Sequence, residues 1–272
     1  MTAVTVTETK AAPIRFRGVR DSGLIAGRNL RVLRKNPGRM LYPLVQPLVL
    51  LVMQVSVFGN LALAGHAAGA AGVSYREFLI PGIIIQNAAL TAPVTGLSLL
   101  RDAGSGLADR FRSLPMSRAA VLGGRLASDA VVFTTQAVLL LALAAPLGFR
   151  VRSGLPGMVA IAGVAVAFGL SIAVLSAWLA LLINDAETAE RTLYFPAIAI
   201  AFISSAFAPV RDLAGWMQPI ARVNPVTAAA SVIRAIAYGG GLGFPLLEFA
   251  CWVAGLILIP GFLAARRWQA PD

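Results

Sequence analysis

Residues 78–100 read FLIPGIIIQNAALTAPVTGLSLL, residues 101–118 read RDAGSGLADRFRSLPMSR, and residues 131–149 read VVFTTQAVLLLALAAPLGF. The first run carries no charge and is long enough to cross a hydrocarbon core, which takes about 20 apolar residues as a helix. The second is charged and helix-prone. The third is apolar again. A short basic segment joining two such runs is the pattern of a polytopic α-helical membrane protein.

The whole chain agrees. Of its 272 residues 58% are hydrophobic and 13% are charged, with a mean hydropathy of +0.78. A soluble domain carries roughly a quarter charged residues and could not hide so much apolar surface. Six spans are expected, at about 41–64, 78–99, 119–147, 158–183, 192–210 and 246–265. The formal net charge of +11 does not point to nucleic acid, because the basic residues gather at span edges, where they act as topology signals and meet lipid headgroups. The first 21 residues lack an apolar core, so no cleaved signal peptide is expected. Cys251 is the single cysteine; it excludes an internal disulfide and reads as a small hydrophobe.

Ahead of the first span, LIAGRNLRVLRKNPGRM (24–40) places Leu24, Ile25, Leu30 and Leu33 at near-helical spacing, with Arg28, Arg31, Arg34 and Lys35 on a basic face. That pattern suits a helix lying in the membrane interface, and Asn36-Pro37-Gly38 breaks it before the chain turns inward. Placing the N-terminus in the cytoplasm puts most of the 23 Lys and Arg residues on that side, including Arg101, Arg110, Arg112, Arg118, Arg191, Arg266 and Arg267. Both termini and the 101–118 segment are then cytoplasmic, as is the short polar loop NDAETAER (184–191). The organisation expected is a tail with an interfacial helix over 1–40 and one six-span domain over 41–272. The outer segment 209–245 is long and semi-apolar, with Trp216 suited to an interfacial belt. Within it Asn224 is a plausible N-cap, Pro225 a first helical residue and Gly239 a stop. A helix at 225–238 would carry Val226, Ala230, Ile233 and Ala237 on one face with Arg234 away from it, dipping into the outer leaflet or capping it.

Several functions are excluded or weakened by what is missing. Lys10 and Lys35 are the two lysines, and neither follows a glycine, so no GxxxxGK[ST] phosphate loop is present. His66, the single histidine, lies in a Gly/Ala-rich outer loop, and with one cysteine besides a zinc-type cluster is not expected. Coupled carriers use ionisable groups near mid-membrane, whereas Asp129 and Glu248 fall towards span edges. The polar groups of the span centres are Gln54, Gln86, Asn87, Thr134, Thr135 and Gln136. They read either as helix–helix hydrogen bonds or, for Gln54, Gln86 and Asn87, as the lining of a substrate pathway. The chain thus lacks its own engine and an evident coupling ion.

The 101–118 segment remains. GLADRFRSL sets Arg110 and Arg112 among Leu107, Phe111 and Leu114; Pro115 ends the helix and Ser117 can cap the next one. Such an element is either an ordinary topogenic loop or a rigid lever that receives a push from outside. The chain resembles the permease subunit of ABC type-2 exporters, in particular the daunorubicin-resistance type. The resemblance runs through GRNLRVLRKNPGRMLYPLVQPLVLLVMQVSVFG, YREFLIPGIIIQNA, GLADRFRSLPMSRAAVLGGRLASD and GWMQPIARVNPVTAAASVIRAI to the closing span with Arg266 and Arg267. These motifs cover most of the chain in the family's order.

The resemblance implies an interfacial connecting helix at 24–36, a cytoplasmic coupling helix at 101–115 that docks on an ATPase, and an outer re-entrant hairpin before the last span. The coupling residues it implies are Arg101, Asp102, Asp109, Arg110, Phe111, Arg112 and Leu114. Ala103, Ser105 and Ala108 thin the acidic run that the family usually has there. It further implies a separate P-loop ABC ATPase dimer that binds ATP and Mg, while this chain binds no cofactor and is not an enzyme. A second permease, either itself or a sister chain, completes a pathway walled largely by spans 1, 2 and 5 in a bacterial plasma membrane. An apolar wall with scattered amides suits drugs, natural products or lipids. The competing reading is a carrier driven by an ion gradient, or a lipid-handling membrane protein; a membrane enzyme lacks any nucleophile–base grouping.

Overall fold

The computed structural model describes residues 37–61, 75–104, 118–183 and 185–269, and among them every regular element is helical. In chain order these are α1 (Pro37–Leu61), α2 (Tyr75–Thr91), α3 (Pro93–Gly104), α4 (Arg118–Ala144), α5 (Gly154–Ala180), α6 (Ala186–Phe202), α7 (Met217–Arg222), α8 (Pro225–Tyr238) and α9 (Gly243–Gln269). Four helical stretches are long and apolar enough to cross a membrane: Glu77–Arg101, Gly123–Ala144, Gly154–Ala180 and Gly243–Leu263. The protein is therefore a multi-pass helical membrane protein. α1 coincides with the expected first span, and the apolar parts of α1 and α8, Val45–Val57 and Pro225–Tyr238, are shorter.

α5 is the hub. It is apolar on all sides, with α2, α3, α4, α8 and α9 packed on it and Leu155 and Val159 left facing outward. Its buried positions are mostly small: Gly157, Ala165, Gly169, Ser171, Ala173, Ser176, Ala177 and Ala180, with Ile161 and Phe168 between them. Small residues let helix backbones approach where no hydrophobic effect drives them together. α9 lies at the opposite extreme, with 11% of its most apolar stretch buried against 61% for Glu77–Arg101. It turns Leu247, Leu258, Ile259 and Phe262 outward.

The second expected span is one helical path interrupted at Ala92. Pro93 has no N–H to offer the Ala89 carbonyl, and the chain rejoins through Ala92 N–H to Ala88 O and Thr95 N–H to Ala92 O, both 3.1 Å. The other internal proline of this path, Pro81, lies where α2 meets the turn after α6. A Cβ at Gly82 would fall 2.3 Å from the Ala206 carbonyl oxygen, so only glycine allows that approach.

The fifth expected span, 192–210, is corrected at both ends. The polar stretch read as a loop is the opening of α6: the Asp185 side chain accepts from the Thr188 N–H at 2.8 Å, and Glu187 pairs with Arg191 one turn on. α6 then stops at Phe202 because side chains take over its last carbonyls. The Asn224 amide donates to Ile200 O at 2.8 Å and to Ile203 O, and Ser204 Oγ donates to Ala201 O at 2.7 Å. The same Asn224 caps α8 by accepting from the Val226 N–H at 2.8 Å. Gly239, at φ 76°, ends α8 in the left-handed region that favours glycine. α8 thus runs between the expected residues, but the expected single buried face is replaced by burial almost all round. Val226, Ala228, Ala229, Ala230, Val232, Ile233 and Ala237 are fully enclosed, among α2, α5 and α9.

Gly82→Ala is expected to destabilise the detergent-solubilised protein by about 1–3 kcal/mol, measured as a lower unfolding midpoint. Gly163→Ala, where an added Cβ meets nothing within 4 Å, should leave the midpoint in place. The exposed Asp185 carboxyl is held below its ordinary value of 3.8, first by the Thr188 backbone N–H. Because the folded state has the lower value, the cap stabilises α6 above the ordinary value and is lost as pH falls through the lowered one. Hydrogen-exchange protection over 186–190, corrected for intrinsic pH dependence, should follow that course. It should be weak at every pH in Asp185→Ala and should persist through the acid range in Asp185→Asn.

Candidate functional site

Three polar groupings interrupt the apolar packing. The first joins the central amides. On α2, Gln86 and Asn87 are neighbours in sequence and so project about 100° apart, towards two different helices. Gln54 of α1 donates to Gln86 Oε1 at 3.5 Å, and Asn87 donates to Gln136 Oε1 of α4 at 3.3 Å. Gln54, Gln86 and Gln136 are buried. Gln54 Oε1 is a buried oxygen without a hydrogen-bond partner among the described residues. The structure therefore pairs Gln54 with Gln86 and, on another side of α2, Asn87 with Gln136. Thr134 and Thr135 stand apart: both donate back to their own helix, at Ala130 O and Val131 O. They line an open outward groove of about 430 Å³ with Val131 and Val138.

The second grouping centres on α8. Pro81 cannot donate to the Glu77 carbonyl four residues earlier, and Tyr238 Oη donates to it instead. One turn back on α8, Arg234 donates to Phe78 O at 3.3 and 3.4 Å. Its other contacts are Ser205 O at 2.6 Å and Ser205 Oγ at 3.0 Å. The guanidinium also lies 3.8 Å from the Phe78 ring centre, a cation–π contact. Arg234 is thus directed into the bundle. Beyond α8's end, Arg152 Nη1 donates to Tyr238 O at 3.2 Å and Ser153 Oγ to Ile236 O at 3.1 Å. The 145–153 connection thereby answers the last carbonyls of α8.

The third grouping was not anticipated. Thr95 of α3 donates to Asp129 Oδ2 of α4 at 2.7 Å, and Arg125 Nε lies 3.2 Å from Asp129 Oδ1. Asp129 is buried, although its place in the sequence suggested a span edge. The four-residue step from Arg125, which sets the two on one helix face, was the available signal.

Of the coupling residues, Arg101 is exposed in the last turn of α3, and Asp102 continues that helix towards Gly104. Asp109, Arg110, Phe111, Arg112 and Leu114 lie outside the described residues, as do Arg28, Arg31, Arg34 and Lys35 of the interfacial helix. Among the described residues no three His, Cys, Asp or Glu side chains gather as metal ligands.

The profile of the ABC-2 type transporter family matches residues 22–238 of this helical, amide-linked bundle. The chain belongs to that family. As an ABC-2 type permease it is a non-catalytic membrane subunit. It is 28% identical over 265 residues to the daunorubicin resistance ABC transporter permease protein DrrB1 of Streptomyces coeruleorubidus, covering 97% of this chain and 92% of that relative. It is 29% identical over 217 residues to DrrC of Mycobacterium tuberculosis, described as a probable doxorubicin resistance ABC transporter permease protein, covering 79% and 76%. The sequence resemblance to ABC type-2 permeases is thereby borne out at the level of the family.

In this permease, Tyr238→Phe removes the hydroxyl that donates to the Glu77 carbonyl and is expected to cost about 1 kcal/mol. Arg234→Met, which strips two carbonyls and a hydroxyl at once, should cost more. Unfolding midpoints in one detergent would rank the two; equal midpoints would mean that Arg234 is not a link between α8 and α2.

Proposed function

We propose that this permease is the membrane half of an ATP-driven exporter for a hydrophobic or amphipathic compound, such as a drug, a natural product or a lipid. The observation that carries the proposal is the family match over 22–238, in a chain that aligns over nearly the full length of a relative named for daunorubicin resistance. The chain lacks a phosphate-binding loop, so ATP and Mg are taken up by a separate P-loop ABC ATPase dimer. That dimer docks on the coupling segment 101–115, with Arg101, Asp102, Asp109, Arg110, Phe111, Arg112 and Leu114 as the contact set. Six spans cross a bacterial plasma membrane with both termini cytoplasmic. Residues 24–36 lie in the interface, with Arg28, Arg31, Arg34 and Lys35 towards headgroups, and 209–245 enters from the outer side and returns. Burial of the short helix α8, with both its ends answered by side chains, supports the last point.

ATP binding closes the ATPase dimer and moves the paired coupling segments, and two permeases, identical or sister chains, part towards the outer leaflet. The pathway is walled by spans 1, 2 and 5. Gln54, Gln86 and Asn87 are its polar points, and the unpartnered Gln54 oxygen supports contact with a substrate donor.

Affinity purification of the tagged chain from its host in mild detergent tests the proposal. A stoichiometric ATPase carrying the phosphate loop is expected. Recovery of the chain alone, with transport surviving ATP depletion, would support a gradient-driven carrier instead. Replacing Phe111 and Arg112 together with Ala should reduce ATPase recovery at least tenfold and stop efflux while membrane insertion continues. Retained docking and efflux would remove 101–115 from the coupling role.

A further inference from the structure

α3 and α4 are the two helices that flank residues 105–117. Between them stands the buried Thr95–Asp129 pair, with the half-buried Arg125 beside it. A carboxylate enclosed in an apolar bundle is a costly way to join two helices, and a well-packed hydrophobic pair would do as well or better. α3 is in any case fixed against α5, since a Cβ on Gly96 would lie 2.4 Å from the Ser176 carbonyl oxygen. Packing alone therefore does not call for Asp129.

Position suggests what does. Thr95 lies two turns and a half above Gly104, about 14 Å along α3, and Asp129 lies about 16 Å along α4 from Arg118, at 1.5 Å per residue. The hydroxyl–carboxylate bond thus closes a loop whose two arms, α3 and α4, are of nearly equal length. The segment between them would otherwise pull on each arm separately. With the bond in place, both arms carry the load to one level. Immediately beyond that level is the interruption at Ala92–Pro93, where the helix lacks a donor for Ala89 and bending is easiest. Arg125 fixes the carboxylate from the same face of α4, and Ser98 Oγ, donating to Thr95 O at 2.8 Å, steadies the other side.

We propose that Thr95 and Asp129 are positioning residues that turn displacement of the 101–118 segment into bending at Ala92–Pro93. The inference rests on the proposed docking of an ATPase on that segment. Its test uses the full chain in complex with its ATPase subunit in lipid vesicles. Cys251 is replaced by Ser, and a bimane fluorophore is attached to a cysteine at Leu90, just beyond the interruption. Addition of ATP to the unsubstituted Thr95–Asp129 complex should shift the emission. Thr95→Val, which keeps the shape and removes the hydroxyl, should reduce that shift at least fivefold while basal ATP hydrolysis stays within twofold. Thr95→Ser should restore it, and Asp129→Asn should behave as Thr95→Val does. An undiminished shift in Thr95→Val and Asp129→Asn overturns the inference and leaves the docking proposal intact. Failure of both variants to accumulate or to bind the ATPase assigns the cluster to folding alone and likewise overturns it. If the ATPase does not bind the unsubstituted chain, or ATP evokes no shift there, the docking proposal falls and this inference with it.

Discussion

A carbonyl oxygen enclosed in hydrocarbon has no water to turn to, and each one left open costs free energy that packing must offset. Pro81 creates that problem in α2 by withholding its donor from Glu77. The answer comes from α8, where Arg234 and Tyr238, four residues apart and so on one face, reach Phe78 and Glu77. Arg234 also holds the turn after α6 through Ser205. One helix too short to be an evident span therefore joins the proline-bearing part of α2 to the end of α6. Its own termini are answered in turn by Asn224 and by the 145–153 connection. That accounting acts together with the close approach of Gly82 to Ala206 to fix where α2, α6 and α8 meet.

Around this polar core the packing follows a different rule. α5 is lined with Gly, Ala and Ser, and its neighbours come close enough for backbone atoms to touch a would-be Cβ at Gly96. Dispersion at short range replaces the hydrophobic effect as the source of helix association. The amide links Gln54–Gln86 and Asn87–Gln136 then set the azimuth of α2 between α1 and α4. Close packing fixes separation, and hydrogen bonds fix rotation.

How far the sequence could be read depended on how local each signal was. Asn224, Pro225 and Gly239 act on the backbone within a few residues, and α8 runs between them as expected. The apolar runs located α1 to α5 and α9 to within several residues. The start of α6 escaped because Glu187, Glu190 and Arg191 look like loop residues by hydropathy, although Asp185 is a good cap by the same rule that worked at Asn224. Its end escaped for another reason: Phe202 is followed by more apolar residues, and what stops the helix is Asn224, more than twenty residues away. Arg234 lies away from the expected apolar face of α8, and its partner Phe78 lies 156 residues earlier, out of reach of any local signal. Asp129 was hidden in the same way by Thr95, which contributes from another helix. The amides were recognised, but whether they face a helix or a substrate is not written in their spacing.

The distance between Phe78 and Arg234 has a consequence for how the protein is made. A ribosome adds about 5–20 residues each second, so some 8–30 s pass between synthesis of Phe78 and arrival of Arg234, 156 residues later. During that interval the Glu77 carbonyl lacks the Tyr238 hydroxyl and the Phe78 carbonyl lacks the hydrogen bonds that Arg234 adds. The N-terminal half of the chain is therefore unfinished until its last quarter has been translated. A nascent chain stalled before α8 would lack both of the side chains that tie α2 to the rest of the bundle.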